Sequence, residues 1–255
     1  NERRWVDDPP GLEITSHSQS VFELSSKPTA GGGVLGTQVN QPSKQCGVGL
    51  KPSLLLIGGG GHCRSVIDVL EQMKQFEIAG IVESLSGSSM PVLGYPVLGI
   101  DEDLPQLREK YEYGLVTVGQ IKNPVPRIKL YRKLQELNFT LPVFFSPRAY
   151  VSSYAQLGAG TIVMHDALVN AGAKIGINCI INSKTLIEHD VCIEDHCHIS
   201  TGSVVNGGAK VGQGTFIGSG AVLREGIQVG QDSFIAAGTK VMKDLPPNSN
   251  YRNRL

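Results

Sequence analysis

The sequence predicts an α/β domain of parallel strands followed by a parallel β-helix of hexapeptide repeats. Three observations carry this prediction. Strand-like and helix-like segments alternate from Lys51 to Phe145. An aliphatic residue then recurs at every sixth position from Val151 to Val241, and the residue two positions before each of these is nearly always small. Because a helix has a period near 3.6 and a flat strand a period of 2, neither explains a period of six.

The α/β part begins with a short apolar strand, a run of glycines and an amphipathic helix. The helix directs Val66, Val69, Leu70 and Met73 inward. The remaining elements follow in alternation, which indicates a small parallel sheet. The predicted strands are Ser53–Ile57, Ile78–Val82 and Leu115–Val118, and the predicted helices are Arg64–Lys74, Asp103–Tyr111 and Pro126–Asn138, the last with Ile128, Leu130, Leu134 and Leu137 as its apolar side chains.

The run Gly58 to Gly61 with His62 lies between the first strand and the first helix. Glycines there let a ligand approach the backbone, and the N–H groups that begin the helix can receive a phosphate. A turn that only permits tight packing of strand on helix is the alternative, and it stays open. The run lacks the GxGxxG spacing, so a Rossmann dinucleotide site is not predicted.

In the β-helix, three hexapeptides make one triangular coil of 18 residues, and the stretch supplies about five stacked coils. The larger aliphatic residue fills the interior, and the smaller residue lets the chain turn a corner. Residues that are 18 apart therefore lie above one another.

The composition excludes several classes of function. The chain has 255 residues with 23 basic and 23 acidic side chains and no basic cluster, so we expect neither a nucleic-acid groove nor a membrane surface as partner. No apolar run has the length of a membrane span, no signal peptide opens the chain, and a cytoplasmic protein is expected. The odd number of cysteines without CxxC spacing argues against a disulfide framework or a zinc knuckle: Cys46, Cys63, Cys179, Cys192 and Cys197. The last three fall in the repeats, where small buried thiols are favoured over reactive ones.

Four histidines fall in the repeats, where a metal cluster and a catalytic base are the two candidate roles: His165, His189, His196 and His198. His165 and His189 are separated by 24 residues, and His189 and His198 by 9, so neither pair stacks on one edge of the coil. A metal site is therefore not predicted. Glu188 and Asp190 flank His189, and an adjacent carboxylate raises the basicity of an imidazole, as a general base requires. From these residues alone, an exposed charged corner is an equally good interpretation.

Four segments resemble the NeuD/PglD family of bacterial sugar acetyltransferases: Ile57 to His62, Asn182 to His189 (NSKTLIEH), His198 to Gly208 (HISTGSVVNGG) and Val211 to Ser219 (VGQGTFIGS). The similarity runs from about Lys51 to about Pro247. It implies a left-handed β-helix, acetyl-CoA as co-substrate, no metal, and a homotrimer with active sites between adjacent solenoids. The implied division is a sugar-nucleotide-binding α/β domain at 51–147, an acetyltransferase β-helix at 148–247 and a tail at 248–255. Residues 1–50 are rich in Ser, Gly and Pro without sustained periodicity, which predicts an unassigned flexible segment, with a fragment edge or a linker from an upstream domain as the alternatives.

The resemblance also implies roles for individual residues. His189 matches the general base, and Asp190 matches the acid that raises the pKa of the base. Gly207 lies one coil of 18 residues beyond His189, and its backbone N–H is expected to face the oxyanion. The residues expected to contact acetyl-CoA are His198, Gly207, Ser219 and Ala237. The residues expected to contact the sugar nucleotide are Gly60, Gly61, His62, Glu83, Ser84 and Gly119.

The expected reaction is acetyl transfer from CoA to an amine or hydroxyl of a sugar, for bacterial surface glycan synthesis. The expected acceptors are a UDP-linked 4-amino sugar or a sialic-acid-like sugar. Where the family has two aspartates after the second strand, this chain has Glu83 and Ser84. A non-catalytic sugar-nucleotide-binding partner of a glycan synthase is the alternative. Flat outer faces that carry Met164, His165 and Val204 are expected to pair in the trimer.

Overall fold

A computed structural model describes residues 51–85, 87 and 89–252, which belong to one compact unit. The interpretation of 1–50 as a flexible segment, together with Cys46, lies outside these residues. Of the helices within the described ranges, none combines the length and the apolar character that a bilayer span requires.

The first part is a four-stranded parallel sheet with strand order β3-β2-β1-β4. A 3₁₀ turn at Asp101–Asp103 connects β3 to α2. The elements, in chain order, are β1 (Ser53–Ile57), α1 (Gly61–Met73), β2 (Glu77–Glu83), β3 (Val97–Ile100), α2 (Leu104–Arg108), β4 (Tyr113–Val116) and α3 (Val125–Glu136).

The sequence predictions agree with most of these elements, and the differences have physical reasons. Helix α1 begins at Gly61, three residues before its predicted start, because the glycine run ends inside the helix. Strand β3 was not predicted, since it is a half-buried edge strand of four residues interrupted by Gly99. Helix α3 buries Arg127, Tyr131 and Leu134, so its inner face differs from the predicted apolar face.

The second part is a left-handed parallel β-helix, as predicted, with three parallel sheets as its sides. Side one contains β7 (Gln156–Leu157), β10 (Lys174–Ile175), β13 (Cys192–Ile193), β16 (Lys210–Val211) and β19 (Gln228–Val229). Side two contains β5 (Phe144–Phe145), β8 (Ile162–Val163), β11 (Ile180–Ile181), β14 (His198–Ile199), β17 (Phe216–Ile217), β20 (Phe234–Ile235) and β22 (Asn250–Tyr251). Side three contains β6 (Tyr150–Val151), β9 (Leu168–Val169), β12 (Leu186–Ile187), β15 (Val204–Val205), β18 (Val222–Leu223) and β21 (Lys240–Val241).

The six-residue period of the sequence is also the period at which side chains are buried in the β-helix. From Leu157 to Val241, each aliphatic repeat residue is at most 8% exposed, and together they form one continuous core. Val191 and Ile227, which occupy positions that are otherwise small, are also fully buried. Each strand pairs with the strand 18 residues later, as Leu186 does with Val204. Removal of these side chains from water, at about 25 cal/mol per Å² of apolar surface, stabilises each coil against its neighbours.

A second period, which was not predicted, marks the corners. Every sixth residue from Gly160 to Gly238 has a positive φ, between 53° and 75°. Glycine occupies most of these positions because the left-handed conformation costs it nothing, whereas it costs other residues about 1 kcal/mol or more. The residues other than glycine in this series are Asp166, Asn178, Lys184, Asp190, His196 and Asp232.

The α/β domain packs on side two through α1 and the loop after β4. Met164 is fully buried in a cluster with residues of α1, and His165 bonds to Asp68 on the same helix. The expectation that Met164 and His165 lie on a free outer face is therefore wrong, because α1 covers them. Val204 lies on side three and is half-buried.

Candidate functional site

His189 and Asp190 occupy the corner that follows β12. The positive φ of Asp190, 59°, belongs to the corner series, and its carboxylate lies against the imidazole of its neighbour. Nδ1 of His189 lies 2.9 Å from Oδ2 of Asp190, and since the carboxylate can only accept, Nδ1 carries the proton. This hydrogen bond raises the pKa of His189. The side chain of His189 is 64% exposed, so its Nε2 presents a lone pair at the surface.

Glu188, the other flanking acid, does not contact the imidazole. Its Oε2 accepts the backbone N–H of His189 at 3.3 Å and an N–H of the Asn170 side chain at 3.1 Å. Glu188 therefore fixes the backbone of the corner, and Asp190 alone orients the ring.

Gly207 lies one coil beyond His189, with its backbone against the imidazole. A Cβ on Gly207 would lie 2.7 Å from Nε2 of His189, which is closer than real Cβ atoms approach, so only glycine leaves this space. Its backbone N–H donates to no acceptor among the described residues. A basic nitrogen and an available N–H donor thus meet on one exposed corner.

Ser219 and Ala237 lie 18 residues apart on a different corner, and both are exposed. Oγ of Ser219 shares a hydrogen bond of 2.9 Å with Oγ of Ser200. This corner enters side three, whereas the His189 corner leaves it, so the outer surface of side three separates the two pairs. Leu186, Val204 and Val222 form a half-buried apolar strip on that surface. The structure thus brings Gly207 to His189 but places two other predicted cofactor contacts, Ser219 and Ala237, across the face of side three.

His198 lies on side two, beneath the α/β domain. Nδ1 donates to the backbone oxygen of Gln120, and Nε2 accepts from the Asn182 side chain at 3.1 Å. Burial lowers the pKa of His198 to about 4, so the ring is neutral at pH 7. Because both ring nitrogens are occupied, His198 joins the two domains in this conformation, and its contact with acetyl-CoA stays a prediction.

The glycine run lies at the carboxyl edge of the sheet. A Cβ on Gly58, whose φ is 103°, would lie 2.4 Å from Cγ2 of Val118, so the first glycine is a packing requirement. The backbone N–H of Gly59 donates to Oε1 of Glu83 at 2.9 Å. A Cβ on Gly60 or Gly61 would meet nothing within 4 Å. Packing therefore explains the start of the run, and open space for a ligand lies at its end, where α1 begins.

His62 follows in the first turn of α1, and its Cβ lies 3.5 Å from the Cβ position of Gly119. Burial, with the positive charge of Arg127 as a smaller cause, lowers its pKa to about 3. Its Nε2 is buried and has no partner among the described residues. The ring centroids of His62 and His198 are 6.4 Å apart. A neutral imidazole with an unused nitrogen thus lies between the glycine run and the β-helix.

A cavity of about 360 Å³ opens at the same edge of the sheet. Glu83 and Ser84, which were predicted to contact the sugar nucleotide, lie in its wall. Its other wall residues were not predicted, because they come from turns and from α3, where a single charged residue gives no pattern: Gly58, Asp101, Val118, Pro126, Lys129 and Leu130.

Arg127 is buried between the domains, and no carboxylate of the described residues forms an ion pair with it. Its Nη1 donates to the backbone oxygens of Val116 and Val118 at 2.7 and 2.9 Å, and its Nε donates to that of Asn178 at 3.3 Å. Burial lowers its pKa to about 10, so the guanidinium is charged at pH 7. Arg127 therefore ties the end of β4, which leads to Gly119 and Gln120, to a corner of the β-helix.

Asp68, His165 and Ser146 form a second connected set, with 2.8 Å from the acid to the imidazole and 2.6 Å from the imidazole to the hydroxyl. Although the order resembles that of a serine hydrolase, Ser146 is fully buried, and its Oγ accepts the backbone N–H of Arg148. A substrate cannot reach this hydroxyl, so the set joins α1 to the β-helix. Among the residues that the structure describes, no three His, Cys, Asp or Glu side chains are grouped as metal ligands.

Two protein families match the chain. Residues 53–134 match the PglD N-terminal domain, and residues 208–243 match the bacterial transferase hexapeptide family, described as six repeats. Among curated protein sequences, none matches the chain significantly.

Solved structures are similar over most of the chain. A histidine-to-asparagine variant of perosamine N-acetyltransferase from Caulobacter crescentus, in complex with CoA and GDP-perosamine, is 35% identical with a TM-score of 0.72, and the match covers 79% of this chain and 92% of that chain. PerB from Caulobacter crescentus, in complex with the same two molecules, is 35% identical with a TM-score of 0.71 and the same coverage. The acetyltransferase domain of PglB from Neisseria gonorrhoeae, in complex with acetyl coenzyme A, is 30% identical with a TM-score of 0.71, and the match covers 77% of this chain and 93% of that chain.

Proposed function

Because the chain belongs to the NeuD/PglD-like family of sugar acetyltransferases and is an acyltransferase that uses acetyl-CoA, we propose that it acetylates an amino group of a nucleotide-linked sugar. The observation that carries the proposal is the pairing of His189 and Asp190 with the backbone N–H of Gly207 on an exposed corner. The similar structures from Caulobacter crescentus hold CoA and GDP-perosamine, an amino sugar nucleotide, which supports an amine rather than a hydroxyl acceptor. We place the reaction in bacterial surface glycan synthesis.

The chemistry follows from the two groups on the corner. The neutral amine of the sugar attacks the thioester carbonyl, and Nε2 of His189 takes the proton that the amine loses. The N–H of Gly207 donates to the oxyanion of the tetrahedral intermediate. When the C–S bond breaks, the imidazolium returns its proton to the CoA thiolate. The products are the amide and free CoA, and Asp190 stabilises the imidazolium while it exists.

The test is the release of free CoA thiol from acetyl-CoA, measured with a panel of acceptors. The panel contains nucleotide-linked 4-amino sugars, the same sugars with a hydroxyl in place of the amine, and free and CMP-linked nonulosonic acids. Thiol release that requires the amine supports the proposal. Thiol release only with a hydroxyl acceptor, or no thiol release with any acceptor of the panel, contradicts the proposal.

We further propose that the protein acts as a homotrimer. The support is that His189 and the Ser219 and Ala237 corner are exposed, and that the half-buried apolar strip between them on side three is not covered by any of the described residues. A neighbouring β-helix against this face would supply the missing wall of the cleft. Sedimentation gives the mass of the assembly. Full activity in a monomer would contradict the shared site.

Replacement of Asp190 by asparagine is expected to move the acidic limb of the pH–rate profile to lower pH. The carboxylate raises the pKa of His189, and only the neutral imidazole can act as base, so the rate falls as the pH drops through that pKa. Without the carboxylate, the pKa falls and the limb moves with it, while the plateau rate drops because a weaker base remains. The control is Glu188→Gln, since Glu188 is the smallest cause of the shift. Equal displacement in both variants would contradict the role of Asp190.

Replacement of Gly207 by alanine is expected to lower kcat by about tenfold or more with little effect on stability. The new Cβ would lie 2.7 Å from Nε2 of His189, and the exposed ring would turn aside at low cost. An imidazole displaced by about 1 Å is poorly placed to accept the proton of the sugar amine. Steady-state kinetics and thermal unfolding measure the two effects. A normal kcat in Gly207→Ala would show that the imidazole of His189 does not act as the base from its position against Gly207.

A further inference from the structure

The cavity of about 360 Å³ at the carboxyl edge of the sheet has a chemically uneven wall. Val118, Pro126 and Leu130 give it an apolar side, and polar groups come from Glu83 and Asp101, which are acidic, and from Lys129, which is basic. An apolar wall suits the face of a planar ring, and a few placed polar groups select its edge. The cavity is large enough for one nucleoside.

The order of the strands sets the order of the groups around this cavity. Gly60 and Gly61 begin α1 beside β1, Glu83 ends the neighbouring strand β2, and Asp101 follows the edge strand β3. In parallel α/β sheets, a nucleotide lies across the carboxyl ends of the strands, with its phosphates at a helix start and an acid of the second strand on the ribose hydroxyls. This places phosphates at Gly60 and Gly61, ribose at Glu83 and the base at Asp101.

The carboxylate of Glu83 is fixed by a hydrogen bond at the place where the ribose would lie. Its Oε1 accepts the N–H of Gly59 at 2.9 Å, so the carboxylate is fixed beside the glycine run. Oε2 accepts from none of the described residues and can accept from a hydroxyl.

Asp101 differs, because its carboxylate accepts no hydrogen bond from the described residues. Its backbone oxygen accepts from Nζ of Lys133, which fixes the turn. The side chain is half-buried, and burial raises the pKa of Asp101; Lys133 opposes the rise, and Glu102 and then Glu83 add to it. A half-buried carboxylate near a second one is stabilised by a ligand that donates N–H groups to it.

We propose that this cavity selects guanine, with Asp101 accepting two adjacent N–H donors of the base and Lys129 donating to its carbonyl oxygen. The inference rests on the proposed function in taking the acceptor to be a nucleotide-linked sugar. Guanine presents N1–H and the N2 amino group side by side, next to O6, and a carboxylate accepts such a pair in bidentate fashion. Uracil presents one N–H between two carbonyl oxygens, and either oxygen would face the carboxylate. Cytosine and adenine each present one amino group beside a ring nitrogen that accepts.

The test is calorimetric titration of the full chain with GDP, IDP, UDP and CDP. GDP is expected to bind at least about tenfold more tightly than UDP or CDP, since a site built for a donor pair leaves a buried carboxylate unpaired with the other bases. IDP lacks only the amino group at C2 and is expected to bind with intermediate affinity. Equal affinities for the four nucleotides, or a preference for UDP, would overturn the inference.

Asp101→Asn isolates the carboxylate, because it preserves size and replaces one acceptor by an N–H donor. It is expected to weaken GDP binding about tenfold and to leave UDP binding unchanged. The matched control is Glu109→Gln, because the side chain of Glu109 is exposed, does not line the cavity and is not among the charges that shift the pKa of Asp101. A preference for GDP that survives in Asp101→Asn overturns the role of this residue. Thermal unfolding establishes that both variants are folded, and the wild-type titrations decide the base preference independently of either variant.

The failures of the two proposals are distinguishable. If no amino sugar nucleotide accepts an acetyl group but GDP still binds more tightly than UDP, the proposed function fails and guanine selection stands. If GDP-linked and UDP-linked forms of one amino sugar react with equal kcat/KM, guanine selection fails and the acetyltransferase proposal stands.

Discussion

Replacement of His189 by alanine is expected to lower the rate of acetyl transfer by about a hundredfold or more. His189 is the exposed imidazole whose Nδ1 proton is held by Asp190 and whose Nε2 lies against Gly207, so its loss removes the group that we propose as the base for the amine proton. At pH 7, a 4-amino group still attacks the thioester, but without a positioned base its proton passes to water. Steady-state kinetics of thiol release measure the loss.

Because the His189 side chain is 64% exposed, its removal leaves no cavity, and thermal unfolding is expected to be unchanged. Calorimetry should also show acetyl-CoA binding close to that of the parent protein, since the loss is in kcat rather than in donor affinity. Gln156→Ala serves as control, because Gln156 is exposed on side one, two coils before the strand that follows this corner. Near-normal turnover in His189→Ala would remove His189 from the mechanism.

Replacement of Arg127 by alanine is expected to lower the free energy of unfolding by about 3 kcal/mol. The guanidinium satisfies the backbone oxygens of Val116, Val118 and Asn178, and alanine would leave them buried without donors as well as a cavity between the domains. Urea denaturation measures the loss.

Arg132→Ala is the matched control, since Arg132 lies on the same helix and is exposed. A change within about 0.5 kcal/mol is expected for it. If the two variants lose the same stability, the buried hydrogen bonds of Arg127 do not hold the domains together. Arg127→Lys is expected to recover only part of the loss, because an ammonium cannot reproduce the planar arrangement of donors.

The regular parts of the molecule could be predicted from the sequence because the type of residue at a fixed spacing determines each structural feature there. An aliphatic residue at every sixth position has one place in a triangular coil, and Leu157 through Val241 are buried as the period requires. The contact between Gly207 and His189 follows from the same count, since 18 residues separate stacked positions. The glycine run likewise marks the turn between β1 and α1.

The domain interface was not predictable, because its partners are distant in sequence and carry no pattern. An arginine in an amphipathic helix ordinarily lies on the solvent face, and only the approach of Asn178, 51 residues later, makes Arg127 an interior residue. The same holds for His198, whose partner Gln120 is 78 residues away in the chain. Tertiary contact decides such positions, and local propensity does not.

The corner that carries the proposed base, His189, lies at the middle of the stack, and this position bears on hydrogen exchange. On side three, β12 and β15 are the third and fourth of six strands, so two coils stand between the corner and either end. In a molecule held together by neighbouring coils, opening begins at the ends, where a strand such as β22 pairs on one side only. The amides of Leu186 and Val204, which donate to carbonyl oxygens of the next coil, therefore exchange only through larger openings, and the arrangement of His189 and Gly207 survives fraying of the terminal coils.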